Sequence, residues 1–214
     1  MPKDLLTYTA TQEYLTSLVP PREKEMQDME AYAEKHNFPI IGATCGYYIY
    51  QLARMINAKS IFELGSGYGY STAWFAKALR ENGGGVVHHT VWDENLSQMA
   101  KQHLVKLGSD DLVKFHMSEA VEALKKTDGP FDIIFNDIDK EQYPASLPVI
   151  KSKLRSGGLL IIDNMLWHGD IFNKDDVRPA TEGVREFTKQ ITNDSDWIVS
   201  LVPMRDGMIV AYKK

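Results

Sequence analysis

Two apolar runs in this chain each end in side chains that could bind a metal ion. Residues 131–136 lead directly into Asp137, and residues 158–162 lead into Asp163 and Asn164. Because the carboxyl ends of parallel strands meet at one edge of a sheet, these three side chains should lie close together. Two carboxylates and one amide carbonyl are hard oxygen ligands, which suit Mg²⁺ or Ca²⁺ better than zinc. Lys140 follows Asp137 by three residues and stands beside this predicted metal site.

Each of these residues also has a plainer interpretation. Asp137 could cap the next helix, and Asp163 with Asn164 could form a turn, because Asp and Asn favour both positions. Lys140 could be a solvated surface charge on a polar helix face. The coincidence of all four residues at two strand ends favours the metal site over these alternatives.

A glycine-rich turn follows the first predicted strand, in the segment that runs from Glu63 through Gly65, Gly67 and Gly69 to Ser71. Glycines let the backbone approach a ligand closely, and the next helix offers free N–H groups at its start. The spacing differs from the dinucleotide fingerprint, and the sequence contains no Gly-Lys-Ser/Thr phosphate loop, which argues against NAD and ATP. An ordinary strand-to-helix turn is the alternative. Glu63 favours a cofactor, because a buried carboxylate needs a partner such as a cationic ligand or backbone donors.

The remaining sequence predicts the elements that must position these residues. Apolar residues at three and four spacing predict helices at 12–19, 23–36 and 44–58. Strands are then predicted at 60–64, 85–91, 113–117, 131–137, 159–163, 197–202 and 208–212. Helices alternate with them from residue 71, at 94–107, from residue 119, at 144–154 and at 181–191. This alternation implies a mostly parallel sheet with helices on both faces, and the Asp-Gly pair at 206–207 predicts an antiparallel hairpin at one edge.

Composition narrows the class of protein. The 214 residues are 43% hydrophobic, which predicts a single domain, with helices in 1–57 and an α/β core in 58–214. The apolar runs are too short to span a membrane and the first six residues lack a signal-peptide core, so we expect a cytoplasmic protein without a membrane partner. A net charge of -5 gives no general attraction for nucleic acid. Cys45, the single cysteine, excludes an internal disulfide and is more typical of a packed small hydrophobe than of a nucleophile.

Three motifs in order connect the chain to a known family. They are Glu-Leu-Gly-x-x-x-Gly-Tyr-Ser from residue 63, Asp-x-x-Lys from residue 137, and Asp-Asn followed by Leu-Trp-x-Gly from residue 163. The chain resembles the cation-dependent, S-adenosylmethionine-dependent O-methyltransferases, which include catechol and caffeoyl-CoA O-methyltransferases, and the bacterial members most of all. The resemblance covers nearly the whole chain. It implies a Rossmann-like, seven-stranded sheet with an N-terminal helical extension, and a homodimer, because relatives are commonly homodimers.

The resemblance also implies roles for individual residues. Asp137, Asp163 and Asn164 correspond to the metal ligands, Lys140 to the general base, and Lys140 with Trp167 to substrate contacts. The residues that correspond to the cofactor site, including the adenine wall at 118–120, are Gly42, Glu63, Gly65, Ser66, Tyr68, Ser71, Asp93, Ser118, Glu119, Ala120 and Asp137.

One position departs from the family pattern. Relatives usually carry an acidic residue at the end of the second strand to bind both ribose hydroxyls, and that place falls here on Thr90 or Val91. Neither side chain can replace a carboxylate. We expect Asp93, the nearest acid, to take the ribose contact after a local shift, and Trp92 to stack on the adenine.

The chemistry implied by these residues is methyl transfer to a hydroxylated aromatic small molecule. A sulfonium methyl group is already activated, so positioning the acceptor oxygen is the leading requirement. Chelation of two neighbouring hydroxyls by Mg²⁺ or Ca²⁺ would fix the acceptor and lower its pKa, and Lys140 would take the proton. The alternative is a catalytically weak or inactive S-adenosylmethionine-binding protein of the same fold, which the missing ribose carboxylate would allow.

Overall fold

Three helices precede the sheet, as the sequence predicted. The computed structural model describes residues 8–214, so the first six residues, which the sequence predicted not to form a signal-peptide core, lie outside the described residues. The helices are α1 Tyr8–Ser17, α2 Lys24–His36 and α3 Gly42–Met55. A Cβ atom at Gly46 would lie 2.0 Å from Nε1 of Trp74, so glycine is required where α3 packs against the sheet helix that carries Trp74. No helix in the described range is both long and apolar enough to cross a membrane.

The sheet has seven strands, and the predicted alternation with helices is confirmed. The elements in chain order are β1 Ser60–Leu64, α4 Tyr70–Glu81, β2 Val86–Thr90, α5 Glu94–Lys106, β3 Val113–His116, α6 Ala120–Lys126, β4 Phe131–Asn136, α7 Tyr143–Lys153, β5 Leu154–Ile162, α8 Pro179–Asn193, β6 Trp197–Val202 and β7 Met208–Lys213. The strand order is β3-β2-β1-β4-β5-β7-β6. Strands β1 to β5 are parallel, and β7 is antiparallel to both of its neighbours.

Strand β5 begins earlier than the apolar run at 159–162 indicated. Its first residue is Leu154, which pairs with Phe131 of β4, and the register then shifts before Ile133 pairs with Leu159. The shift accommodates extra residues around Gly157 and Gly158 in β5. Helix α7 therefore ends at Lys153, close to the predicted end of that helix.

Buried side chains lie on both faces of the central strands, which is why β1, β4 and β5 consist largely of apolar residues. In β1, Ile61 packs into the cluster beneath α3 and α4, whereas Phe62 and Leu64 pack into the cluster beneath α7 and α8. The same alternation separates Ile133 from Ile134 in β4. Helices thus cover both faces, and only the strand ends are open to a ligand.

Candidate active site

A cavity of about 570 Å³ opens at the carboxyl ends of the parallel strands. It brings together the four residues that the strand ends predicted to meet, namely Asp137, Lys140, Asp163 and Asn164. The glycine-rich turn, the end of β2, residues 118–120 and Arg205 complete its lining. A more open groove of about 770 Å³ runs along α1, but none of these residues lines it. The cavity at the strand ends is therefore the candidate active site.

The glycine-rich turn packs directly against the end of β4. Gly65, Gly67 and Gly69 all adopt positive φ, and a Cβ atom at Gly65 would lie 2.6 Å from the carbonyl oxygen of Asp137. The backbone N–H of Ser66 donates to the carbonyl of Thr90 at 2.9 Å, and the N–H of Thr90 donates to Oγ of Ser66 at 3.0 Å. The turn is thus fixed to the ends of β2 and β4, and it forms one wall of the cavity.

Glu63 lies fully buried behind this turn. Thr72 donates a hydrogen bond to Oε2 of Glu63, while Oε1 has no hydrogen-bond partner among the described residues. Burial raises the pKa of Glu63 to about 7, whereas the nearby hydroxyl groups of Ser71, Thr72 and Ser66 favour the carboxylate form. An unpartnered buried acceptor is costly. A positively charged ligand on the other side of the turn would therefore favour the ionised form of this carboxylate.

Lys140 is buried beside Asp137, which excludes its interpretation as a solvated surface charge. The residue is 7% exposed, and Nζ lies 2.7 Å from Oδ1 of Asp137 and 3.1 Å from the carbonyl oxygen of Ile138. The rings of Tyr143 and Trp167 flank the ammonium group at 4.9 and 5.9 Å. These contacts hold the amine at the edge of the cavity, next to the carboxylate that ends β4.

Asp163 is paired with a residue from the β6–β7 hairpin. It is 1% exposed, and its Oδ2 accepts a hydrogen bond from the Arg205 guanidinium at 2.8 Å. Its Oδ1 has no hydrogen-bond partner in the part of the chain that the structure describes. Burial, and next the charge of Asp137, raise the pKa of Asp163, whereas Arg205 opposes this shift. One buried carboxylate oxygen is therefore available to a cation.

The same hairpin turn orients Asn164. Nδ2 of Asn164 donates to Oδ2 of Asp206 at 3.1 Å, so the amide oxygen is the group left for a ligand. Asp206 also accepts the backbone N–H of His168 at 2.6 Å, and the N–H of Leu166 donates to its carbonyl at 2.8 Å. Residues 205–207 thus support the loop that follows β5 and place Trp167 over Lys140. From the sequence, Asp206 was predicted only as part of the hairpin turn, and neither Asp206 nor Arg205 was predicted to contact the site residues.

Eight of the eleven residues that correspond to a cofactor site line the cavity. Those that line the cavity are Gly65, Ser66, Tyr68, Ser71, Ser118, Glu119, Ala120 and Asp137. Gly42, Glu63 and Asp93 lie outside the lining, although Gly42 begins the helix that precedes β1. Trp92 lines the cavity with 79% of its surface exposed, so its ring is open to a stacking partner.

Two acidic residues near the cavity serve as helix caps. Oδ1 of Asp93 accepts the backbone N–H of Leu96 at 2.9 Å and caps α5. The Glu119 carboxylate caps α6 by accepting the N–H groups of Val121 and Glu122 at 2.9 and 2.7 Å. Thr90, at the position where relatives carry an acid, donates instead to the carbonyl of Glu63. A ribose contact by Asp93 stays a prediction, and the structure already uses one of its oxygens.

The family model for O-methyltransferases matches residues 18–214. The chain belongs to the O-methyltransferase family. This O-methyltransferase is 30% identical over 178 residues to a catechol O-methyltransferase from Niastella koreensis, covering 79% of this chain and 80% of the relative. It is 27% identical over 224 residues to caffeoyl-CoA O-methyltransferase from Medicago sativa, covering 97% of this chain and 90% of the relative. The predicted family is confirmed.

Solved structures agree with the observed fold. An O-methyltransferase from Bacillus cereus in complex with SAH matches with a TM-score of 0.86 and 25% identity, covering 96% of this chain and 97% of that one. The Rossmann-like methyltransferase fold predicted for this O-methyltransferase is thereby confirmed. Membership of an enzyme family also favours catalysis over the alternative of a binding protein without turnover.

Proposed function

We propose that this O-methyltransferase transfers a methyl group from S-adenosylmethionine to one of two neighbouring hydroxyls on a catechol-like small molecule, with a divalent metal ion. The observation that carries the proposal is that Asp137, Lys140, Asp163 and Asn164 meet at one end of the cavity, with Lys140 and Asp163 buried there. The glycine-rich turn lies against the same strand end, so cofactor and acceptor would adjoin there.

The oxygen atoms at the end of the cavity suit a hard divalent cation. Asp137 and Asp163 supply carboxylates, Oδ1 of Asp163 is buried without a hydrogen-bond partner among the described residues, and Asp206 leaves the amide oxygen of Asn164 available. The proposed ligands include only two acids. Within residues 8–214, no group of three or more His, Cys, Asp or Glu side chains is arranged to hold a metal ion. A bound Mg²⁺ or Ca²⁺ would orient both hydroxyls and acidify the one that accepts the methyl group.

The other end of the cavity suits a cationic nucleoside. The glycine-rich turn allows close approach, Glu63 has an unpartnered oxygen behind that turn, and Trp92 offers an exposed ring. S-adenosylmethionine carries an ammonium and a sulfonium group, so a buried carboxylate with unmet hydrogen-bonding capacity favours it. Residues 118–120 would form the adenine wall, as expected from the family pattern.

In this proposal Lys140 takes the proton from the acceptor hydroxyl. Its neutral amine is the form that can accept a proton, and its contacts fix Nζ at the cavity edge. Trp167 lies over the same group and lines the cavity, where a flat aromatic acceptor could stack against its ring. The protein would thus position the acceptor, shield it from water and remove its proton.

A methylation assay with S-adenosylmethionine and catechol tests the proposal. We expect EDTA to abolish turnover and Mg²⁺ to restore it, and Asp163→Ala to remove activity without unfolding the chain. Lys140→Met should lower kcat about a hundredfold with a smaller change in KM. Loss of a general base typically lowers the reaction rate by a factor of roughly 10² to 10⁴. Lys125→Met, which removes an exposed lysine on α6, is the control.

Two outcomes would contradict separate parts of the proposal. Full activity in EDTA would exclude the metal. A Lys140→Met enzyme that turns over catechol at the wild-type rate from about pH 6 to 9 would show that Lys140 is no base.

A further inference from the structure

Both carboxylates proposed as metal ligands are already paired with basic side chains. Lys140 lies 2.7 Å from Oδ1 of Asp137, and Arg205 lies 2.8 Å from Oδ2 of Asp163. Lys140 has a proposed part in the reaction, but the reaction gives Arg205 none. Its guanidinium, which carries a permanent positive charge, lies on one of the two acids that a divalent cation would need.

The backbone fixes Arg205 in this place. Its φ of 51° is in the left-handed region that arginine rarely adopts, and its N–H donates to Oε1 of Gln12 on α1 at 3.2 Å. The next residue, Asp206, is anchored to Asn164. The guanidinium lines the cavity above a carboxylate that is almost completely buried. Two contacts, from the Arg205 backbone to Gln12 and from Asp206 to Asn164, therefore hold the turn in the position from which Arg205 pairs with Asp163.

The other charged groups around this pair do not replace the guanidinium. Asp206 uses both carboxylate oxygens on Asn164 and His168, and Asp139 lines the cavity as an exposed residue. Nδ1 of His168 lies 3.5 Å from Oδ2 of Asp206, and the His168 side chain is largely exposed. Among these groups, Arg205 alone hydrogen-bonds to Asp163 through its side chain.

We propose that Arg205 is an internal counter-ion that competes with the divalent metal for Asp163 and couples metal binding to binding of the acceptor. The inference rests on the proposed function. A metal ion that binds the free Oδ1 of Asp163 must share this carboxylate with the guanidinium and is repelled by it. An ionised diol adds negative charge beside both cations and offsets the repulsion. The metal should therefore bind weakly in the absence of the acceptor and more tightly in its presence. By linkage, the metal should increase the binding affinity of the acceptor by the same factor.

Calorimetric titration of the whole protein with Mg²⁺ tests this inference. We expect Arg205→Gln to tighten Mg²⁺ binding at least about tenfold in the absence of catechol, because one repelling charge is removed. Arg205→Lys, which keeps the charge, should stay near the wild-type affinity. Arg155→Gln is the matched control, since Arg155 pairs with Asp132 at 2.6 Å and its side chain is 34% exposed, against 31% for Arg205.

A second titration in the presence of catechol and S-adenosylhomocysteine measures the coupling. Catechol should increase the Mg²⁺ affinity of the wild type more than that of Arg205→Gln. The Mg²⁺ dissociation constants of the two proteins should therefore be closer with catechol than without it. Urea unfolding curves establish that each variant is folded.

Three results would overturn the inference. Unchanged or weaker Mg²⁺ binding by folded Arg205→Gln, while the wild type binds the ion, would refute the counter-ion alone and leave the proposed function intact. Equal tightening by Arg155→Gln would assign the effect to net charge and refute it as well. Absence of Mg²⁺ binding by every variant, even with catechol, would refute both this inference and the metal part of the proposed function.

Discussion

Glu63 should make the ligand-free protein less stable as the pH rises, and replacing it with glutamine should remove this dependence. Its carboxyl group is fully buried, and burial raises its pKa from the ordinary 4.5 to about 7. A raised pKa means that the folded state binds the proton more tightly than the unfolded chain does. The stability that Glu63 contributes is thus fully present below pH 4.5 and is lost as the pH rises through 7.

The size of the effect follows from the two pKa values. Since one pKa unit corresponds to about 1.4 kcal/mol, the ionised Glu63 side chain costs the folded state about 3 kcal/mol above pH 7 relative to the protonated form. Glu63→Gln keeps the shape and one hydrogen-bond acceptor but cannot ionise. As the pH rises from 4.5 to 8, the free energy of unfolding of Glu63→Gln should increase relative to that of the wild type by roughly this amount. Such a change is a large part of the total stability of a typical protein.

Urea unfolding at several pH values between 4.5 and 8 provides the measurement, with the wild type, Glu63→Gln and Glu186→Gln. Glu186 is exposed on α8, so its replacement should give a nearly constant difference from the wild type. If the difference in unfolding free energy between Glu63→Gln and the wild type is the same at every pH in this range, Glu63 does not ionise with a raised pKa in the folded state. Glu63→Gln should also bind S-adenosylmethionine more weakly, because the side chain behind the glycine-rich turn, whose Oε1 has no hydrogen-bond partner among the described residues, no longer carries a negative charge.

Three further outcomes are expected. Asp93→Ala should weaken S-adenosylmethionine binding by about 1.5 to 3 kcal/mol if Asp93 reaches the ribose, and an unchanged dissociation constant would leave Asp93 as a helix cap alone. Gly183→Ala should destabilise the fold by about 1 to 3 kcal/mol and lower kcat, because its Cβ would lie 2.2 Å from the carbonyl oxygen of Lys140; an unfolding curve that matches the wild type would contradict this. Light scattering should give a dimer, about twice the 24.3 kDa chain mass, because Tyr14 and Leu18 are exposed on and beside α1; a monomer mass would refute it.

The sheet and the polar strand ends could be predicted because their signals are local. Apolar runs bounded by glycine, Asp or Asn located β1, β4 and the end of β5, and parallel pairing then brought Asp137 and Asp163 to one edge. The start of β5 escaped prediction because Leu154 to Gly158 contains no continuous apolar run, and its pairing with β4 depends on a register shift. Strand pairing of that kind depends on the partner strand rather than on the segment itself.

The contacts that complete the site could not be predicted from local sequence patterns. Arg205 and Asp163 are separated by 42 residues, and their pairing requires β7 to lie next to β5. The helix cap formed by Asp93 could not be predicted either, because an acidic residue before a helix can cap that helix or bind a ligand. The hairpin was predicted, but the direction in which its turn presents Arg205 and Asp206 depends on the packed sheet.

Strand β7 lies between β5 and β6, although it follows both in the chain. During synthesis, β5 therefore presents a bare hydrogen-bonding edge until residues 208–213 have left the ribosome and can pair with it. The turn that anchors Asn164 and covers Asp163 arrives with the same stretch. A nascent chain that already contains the glycine-rich turn, Lys140 and both acids consequently still lacks a finished cavity. The cavity is therefore complete only after β7 has paired with β5.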